Sequence, residues 1–362
     1  MKYVDEFRSL KLSRKLAENI QRLMPPAGIN IMEVCGTHTQ NFYRFGLNKL
    51  VPESLRLVSG PGCPVCVSDQ QYIDAAIELS KDKNNIILSF GDMLRVPGSS
   101  STLEKERAHG AHIGMAYSAL DALKIAAANK QKRVIFLAVG FETTAPTIAS
   151  SLLLAKKEKM ANIFFLPALK LIPPAIKYLL EDKRLKINAF LLPGHVSSII
   201  GTKPYEFIPQ KYGLPCCVAG FEPVDMLEGL YLLLRQMLER HPQVENQYIR
   251  AVKRNGNLKA QKIIASVFRT SDAAWRGLGI IPQSGLQIKN KFAEFDAGKV
   301  FSIRPKAKGQ RLKTKCRCAD VLKGLIRPDS CLLFKKSCTP EKPVGPCMVS
   351  QEGACNAYFR YR

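Results

Sequence analysis

Apolar positions near the start of the chain recur at Phe7, Leu10, Leu16, Ile20 and Leu23 and stop at Pro25-Pro26. That spacing puts them on one helical face, so an amphipathic helix is predicted over 4–23. Beyond residue 28 the pattern changes. Short apolar runs at 29–34, 55–58, 86–90, 112–117, 134–139, 163–166, 189–192 and 216–219 are closed by turn residues. Stretches of helical spacing follow many of them, at 70–79, 119–129, 145–157 and 224–239. Strands alternating with helices predict βαβ units and parallel sheets. Two sheets fit the length better than one. The expectation is an α/β fold with two similar parallel-sheet domains, 1–125 (with the N-terminal helix) and 126–300, then a small Cys-rich domain at 301–362. Gly-Phe-Glu follows an apolar run twice, at 140–142 and 220–222, as a faint internal echo.

Composition narrows the function classes. Of the 362 residues, 46% are hydrophobic and 23% charged, which suits globular domains. No apolar run reaches the roughly 18 residues of a membrane span, and the first ten residues, MKYVDEFRSL, carry acids rather than an apolar leader. A soluble, cytoplasmic protein with no membrane partner is expected. The formal charge of +24 invites a nucleic-acid reading. The basic residues are spread along the chain, however, and no nucleic-acid-binding motif accompanies them. A general basic bias or an acidic partner explains the charge as well. A run of seven basic residues without an acid at 304–317 reads first as a linker and second as a docking surface for such a partner.

Most of the unusual residues follow predicted strands. They are EVCGTHT (33–39), SGPGCPVCVSD (59–69), FGDM (90–93), GFETTAP (140–146) and PGHVSS (193–198). In a parallel sheet the carboxyl ends of the strands share one edge, where ligands bind. Cys63 and Cys66 have C-x-x-C spacing at a predicted helix N-terminus, which favours a redox or metal-binding pair with a lowered thiol pKa. Cys35, between Val34 and Gly36-Thr37-His38, is a candidate thiolate. His38, Glu142 and His195 are candidate acids, bases or ligands. Cys216 and Cys217 lie in an apolar run and read as core.

Eleven cysteines are many for a reducing compartment, where ligands and redox groups outnumber bridges. Six fall in the last fifty residues: Cys316, Cys318, Cys331, Cys338, Cys347 and Cys355. Cys331, Cys338, Cys355 and one of Cys316 or Cys318 supply the four thiolates of a [4Fe–4S] cluster. Zinc fits less well, because its sites favour C-x(2–4)-C knuckles. The two cysteines left over could form a dithiol beside the cluster, and a segment so rich in Pro and Gly would need the metal to hold it.

Together these motifs, with AGFEPVD (219–225), ENQY (245–248), WRGLG (275–279) and CTPEKPVGPCMVSQEGAC (338–355), resemble the HypD family of [NiFe]-hydrogenase maturation factors over nearly the whole chain. The resemblance implies two α/β domains plus a [4Fe–4S] domain, and a scaffold on which the Fe(CN)2CO unit is built. The partners would be a small HypC-like chaperone, forming a heterodimer with an otherwise monomeric chain, and a HypE-like cyanide donor. Cys35 would hold the assembling iron and Cys63/Cys66 would be redox-active. The cluster would be held by Cys316, Cys331, Cys338 and Cys355, with Cys318 and Cys347 as a possible extra pair. A redox-capable assembly scaffold is expected rather than a turnover enzyme; the alternative is a cluster-dependent thiol–disulfide reductase, which would not need Cys35.

Overall fold

A computed structural model describes residues 5–303 and 315–362. Most of the basic run, and with it part of the expected Cys-rich domain, lies outside the described residues. All eight predicted strands form: β1 (Ile29–Glu33), β2 (Leu55–Ser59), β3 (Asn85–Ser89), β4 (Ile113–Met115), β5 (Arg133–Gly140), β6 (Ile163–Leu169), β7 (Ala189–Pro193) and β8 (Cys216–Ala219). Three more are present: β9 (Val244–Asn246), β10 (Phe268–Trp275) and β11 (Gly279–Ile288). The N-terminal helix runs over Leu10–Leu23, with Ser9 capping it by accepting from the Leu12 N–H.

The strands make two parallel sheets, one in the order β2-β1-β7-β8-β9 and one in the order β4-β3-β5-β6, plus the antiparallel pair β10-β11. The fold is therefore α/β, as expected. Strand pairing does not follow the expected boundary at 125/126, however. Residues 1–125 give β1 and β2 to the five-stranded sheet but β3 and β4 to the four-stranded one. The chain leaves the first sheet after β2, builds the whole second sheet, and returns at β7 to pair with β1.

β5 is buried along almost its whole length, and β7 and β8 throughout, which explains their unbroken apolar runs. Cys216 and Cys217 are fully buried in β8, as the core reading required. The β10–β11 hairpin lies across the carboxyl end of β6 through a Lys170–Gly285 bridge and reaches the C-x-x-C loop through a Ser68–Trp275 bridge.

The C-terminal residues correct one expectation. They are better buried than expected: Cys347, Met348, Val349 and Cys355 join a core with residues of both sheets. The last helix, Ala354–Tyr361, packs on the Gly36–Arg44 helix, with the Tyr43 and Tyr358 rings 4.6 Å apart. Among the described residues no helix is long and apolar enough to cross a membrane.

Candidate functional site

Strand order sets the site. β1 pairs with β2 on one side and β7 on the other, so the five-stranded sheet has its topological switch point between β1 and β7. The loops leaving these strands carry Cys35 and His195. β2 delivers the C-x-x-C loop beside them: the Gly36 N–H donates to the Gly62 carbonyl at 3.0 Å. A Cβ on Gly62 would collide with the backbone of Val34 and Cys35, so only glycine allows this approach.

Cys35 is buried between two carboxylates. Glu33, at the end of β1, accepts from the Cys35 N–H at 2.9 Å and from the Thr39 hydroxyl. Burial pushes its carboxyl up to about 8, against the hydrogen bonds from Thr39 and Cys35. Glu352, from the far end of the chain, accepts from the Thr37 hydroxyl at 2.5 Å. Its backbone carbonyl sits where Gly36 has no side chain; a Cβ there would come within 2.6 Å of it. Burial, then the charges of Glu352 and Glu33, push the Cys35 thiol up to about 12. The arrangement disfavours a bare thiolate and favours a thiolate bound to a cation, which would supply the missing positive charge.

His38 is fully buried, and its Nε2 faces the Gly220 and Ala219 carbonyls at 2.9 and 3.3 Å. Carbonyls only accept, so Nε2 carries the proton. Nδ1 is then a buried lone pair with no partner among the described residues. Burial brings the His38 pKa down to about 4. His195 is exposed and stacks on Phe221 at 3.9 Å, while Phe221 lies 4.8 Å from His38 on a tilted contact. Glu142 stands on the other sheet, after β5. Its Oε1 accepts from the Ile172 N–H at 2.9 Å, Oε2 is buried with no partner among the described residues, and burial raises the carboxyl to about 7. Buried Tyr205 is raised well above the usual phenol value, chiefly by burial and then by the charge of Glu142, with Cys35 adding to it.

The cysteines form a chain of sulfurs. Cys63 caps the short Pro64–Val67 helix, its Sγ accepting from the Cys66 N–H at 3.3 Å, and the two thiols are 2.8 Å apart. The expected acidic thiol is not found at Cys66: burial outweighs the short helix and raises its pKa well above the usual value. Cys347 lies close enough to Cys66, Cys318 and Cys355 for these thiols to shift one another's pKa. Cys316 lies 3.2 Å from Cys318. Both sulfurs fill the space at Gly345, where a Cβ would lie 2.5 Å from each. Cys338 is close enough to feel both charges. Cys331 ends a turn, Pro328–Ser330, that packs on the helix carrying Cys355. Among the described residues no group of three or more His, Cys, Asp or Glu has the arrangement of a formed metal site. The donor set is nonetheless almost purely sulfur, and thiolates are the ligands an iron–sulfur cluster takes.

Sequence reasoning missed Glu352 and the pair Asp225–Arg250. Asp225 is fully buried, receives both Arg250 nitrogens at 2.8 and 2.5 Å, and is bonded to Gln247, whose Oε1 accepts from the Gly220 N–H. This network fixes the carbonyl that orients His38. AGFEPVD and ENQY were visible as motifs, but nothing in their spacing showed that they pair.

The HypD family model, described as the hydrogenase formation hypA family, matches residues 11–362. The chain belongs to the HypD family. The hydrogenase maturation factor HypD of Escherichia coli K12 is 42% identical over 369 residues, covering 100% of this chain and 98% of that protein. HypD of Cupriavidus necator is 42% identical over 370 residues, covering 100% and 97%. A putative hydrogenase expression/formation protein of Methanocaldococcus jannaschii is 41% identical over 348 residues, covering 96% and 94%. This family member is thus a hydrogenase maturation factor.

Proposed function

We propose that this HypD-family chain is a cytoplasmic scaffold on which, with a small HypC-like partner and a HypE-like cyanide donor, the Fe(CN)2CO unit of [NiFe] hydrogenase is assembled. The observation that carries this reading is the seat of Cys35: a single thiol at the switch point, flanked by Glu33 and Glu352 and outside the chain of sulfurs that starts at Cys63. Iron carrying cyanide and CO prefers a soft thiolate. One protein thiolate, rather than a closed cage, leaves positions for the incoming ligands and for a cysteine of the partner, and permits release. Burial disfavours the ionised forms of Glu33 and Glu352, and a bound cation would draw both toward ionisation, so the two carboxyls can match its charge. His38 offers a buried lone pair at Nδ1, and His195 an imidazole at the open side whose pKa burial lowers. Glu142, at the carboxyl end of β5 and protonated below about pH 7, is a candidate proton donor.

Cys63, Cys66, Cys347 and Cys318 support a thiol relay. Attack of a Cys347 thiolate on Cys66 of a Cys63–Cys66 disulfide forms a Cys66–Cys347 bond and releases Cys63 as thiolate. Attack of Cys318 on Cys347 then closes Cys318–Cys347 and releases Cys66. Two electrons move toward the C-x-x-C pair and one disulfide replaces another. Cys316, Cys331, Cys338 and Cys355 would hold a [4Fe–4S] cluster, which when bound supplies electrons singly to the far end of this relay.

The test is anaerobic purification of the protein co-expressed with its HypC-like partner, followed by iron and sulfide analysis and an infrared spectrum. Scaffold function predicts cluster iron plus extra iron, with bands in the cyanide and CO stretching region. Cys35→Ala should erase those bands and keep the sulfide. A cluster without the bands would favour a thiol–disulfide reductase; zinc in place of iron would end the cluster assignment.

A further inference from the structure

Tyr248 stands between two of the loops that build the switch point. A Cβ on Gly194, beside His195, would lie 2.8 Å from the Tyr248 Cδ1, and a Cβ on Gly220, beside Phe221, would lie 2.9 Å from the Tyr248 Cδ2. The Tyr248 ring meets Phe221 edge-on at 6.0 Å. Phe221 in turn stacks on His195 and leans on His38, so one phenylalanine ring seats both imidazoles. This column of rings is held from outside. The Arg250 guanidinium, whose two nitrogens bind Asp225, lies over the Tyr248 ring at 4.5 Å and over the Phe7 ring at 3.7 Å. A guanidinium can do both at once, because its edge donates while its faces stack. Arg8 grips Glu222 with two nitrogens at 2.5 and 2.9 Å, and Glu222 directly follows Phe221. Asn41, on the helix that begins after Cys35, donates to the Phe221 carbonyl at 3.0 Å. Phe7 and Arg8 belong to a four-residue turn, Asp5–Arg8, that precedes the first helix. Phe7 is half-buried and Arg8 exposed.

We propose that the turn Asp5–Arg8 is a strap over the switch point, in which Phe7 and Arg8 are positioning residues that hold the Phe221 ring against His38 and His195. The inference rests on the assembly reading above for what the imidazoles serve, and on the ring contacts alone for how they are held. Phe7 acts through Arg250 and Tyr248, and Arg8 through Glu222, so two routes converge on one ring. Losing either contact frees Phe221 to turn, and the two imidazoles lose their common wall while both sheets stay paired. Arg8 is exposed, and an ion pair there contributes little to global stability, so its removal tests position rather than folding.

The experiment is an NMR spectrum of the imidazole protons in full-length, metal-free protein carrying isotope-labelled histidine. The chain has five histidines, and His109, His112 and His241 are exposed. A proton held at the face of an aromatic ring is shifted upfield, so the Phe221 contact marks His195 and His38 and leaves the other three as internal controls. Spectra at pH 8 keep titration out of the comparison, since burial lowers both imidazole pKa values. Phe7→Leu and Arg8→Gln should each move the His195 and His38 signals downfield, His195 the more because its stack is closer, with the three exposed histidines in place. Phe7→Tyr keeps a ring over Arg250 and should hold the wild-type positions. If Phe7→Leu fails to fold, Arg8→Gln decides. Unmoved His195 and His38 signals in the folded variants overturn the proposal. Movement of all five histidines, the mark of a general loosening, overturns it too, and so does a Phe7→Tyr spectrum like that of Phe7→Leu. The assembly reading fails separately, on the infrared bands of the partner complex, which this experiment does not use.

Discussion

Glu352 reaches from the C-terminal tail to accept the Thr37 hydroxyl at 2.5 Å, two residues from Cys35. Almost the whole chain lies between the two partners, so this contact joins the sulfur-rich tail to the loop that leaves β1. Thr37→Val removes the donor and keeps the shape. About 1 kcal/mol of stability should be lost, the usual worth of such a bond. Iron retained at Cys35 should fall with it, read as the infrared band intensity of the partner complex per chain. Full band intensity in Thr37→Val would show that the contact is incidental to the site.

Glu142 predicts a pH dependence. Burial raises its carboxyl to about 7, above the ordinary value of 4.5, so the folded protein holds this proton more tightly than the unfolded chain. The resulting stability is complete below about pH 4.5 and is lost as pH rises toward 7, at up to about 1.4 kcal/mol per unit. His38, brought down to about 4, works in the opposite sense: its contribution is present above about 6.5 and is lost as pH falls toward 4. Denaturant titrations across pH 4–8 should show Glu142→Gln with a smaller decline between pH 4.5 and 7 than wild type. An unchanged profile would mean that Glu142 is ionised throughout.

The Asp225–Arg250 pair should be among the more costly polar contacts to break. Asp225 has no exposed surface, and removing one partner of a buried ion pair costs roughly 3–5 kcal/mol. Arg250→Met should therefore lower stability by an amount in that range, seen in the urea midpoint. It should also loosen the Gly220 carbonyl that holds His38. A loss below about 1 kcal/mol would mean that water replaces the guanidinium.

Cysteine reactivity should divide the chain. Cys63, Cys66, Cys217 and Cys347 are buried; burial raises the pKa of Cys66 and Cys217, and the neighbouring Cys318 thiol, then burial, raises that of Cys347. Cys331 is partly exposed. In metal-free native protein at pH 8, iodoacetamide should label Cys331 at least tenfold faster than these four. Reconstitution with iron and sulfide should then protect Cys331, Cys316, Cys338 and Cys355 together. Protection of Cys318 and Cys347 in place of Cys316 and Cys331 would reassign the ligands.

Strand content was legible because β1 to β8 are apolar runs, several of them buried on both faces. β10 and β11 escaped notice because they lie across a sheet edge, half in water: Phe268 and Trp275 are buried, but Arg269 and Thr270 between them are exposed. Which strands pair was not legible. Nothing in residues 29–33 says that their neighbour is 189–193 rather than a strand of the next unit, which is why the boundary at 125/126 cuts across both sheets. Cys35, Cys63, Cys66 and the tail cysteines announced themselves by type and spacing. Glu352 and Arg250 did not, since a lone glutamate or arginine acquires its role only from what the fold sets against it.

The return of the chain from the four-stranded sheet to β1 also bears on how the protein is made. Ile31 finds its partner Ala189 only after the entire second sheet has been synthesised. At about 5–20 residues per second, β1 waits roughly ten to thirty seconds on the ribosome with one neighbour missing. The tail that brings Glu352 and Cys347 emerges later still. A truncated or nascent chain therefore has Cys35 but neither a finished sheet beneath it nor a carboxylate above it. Any chain that stops short of residue 352 leaves the Cys35 loop without the carboxylate that Thr37 holds.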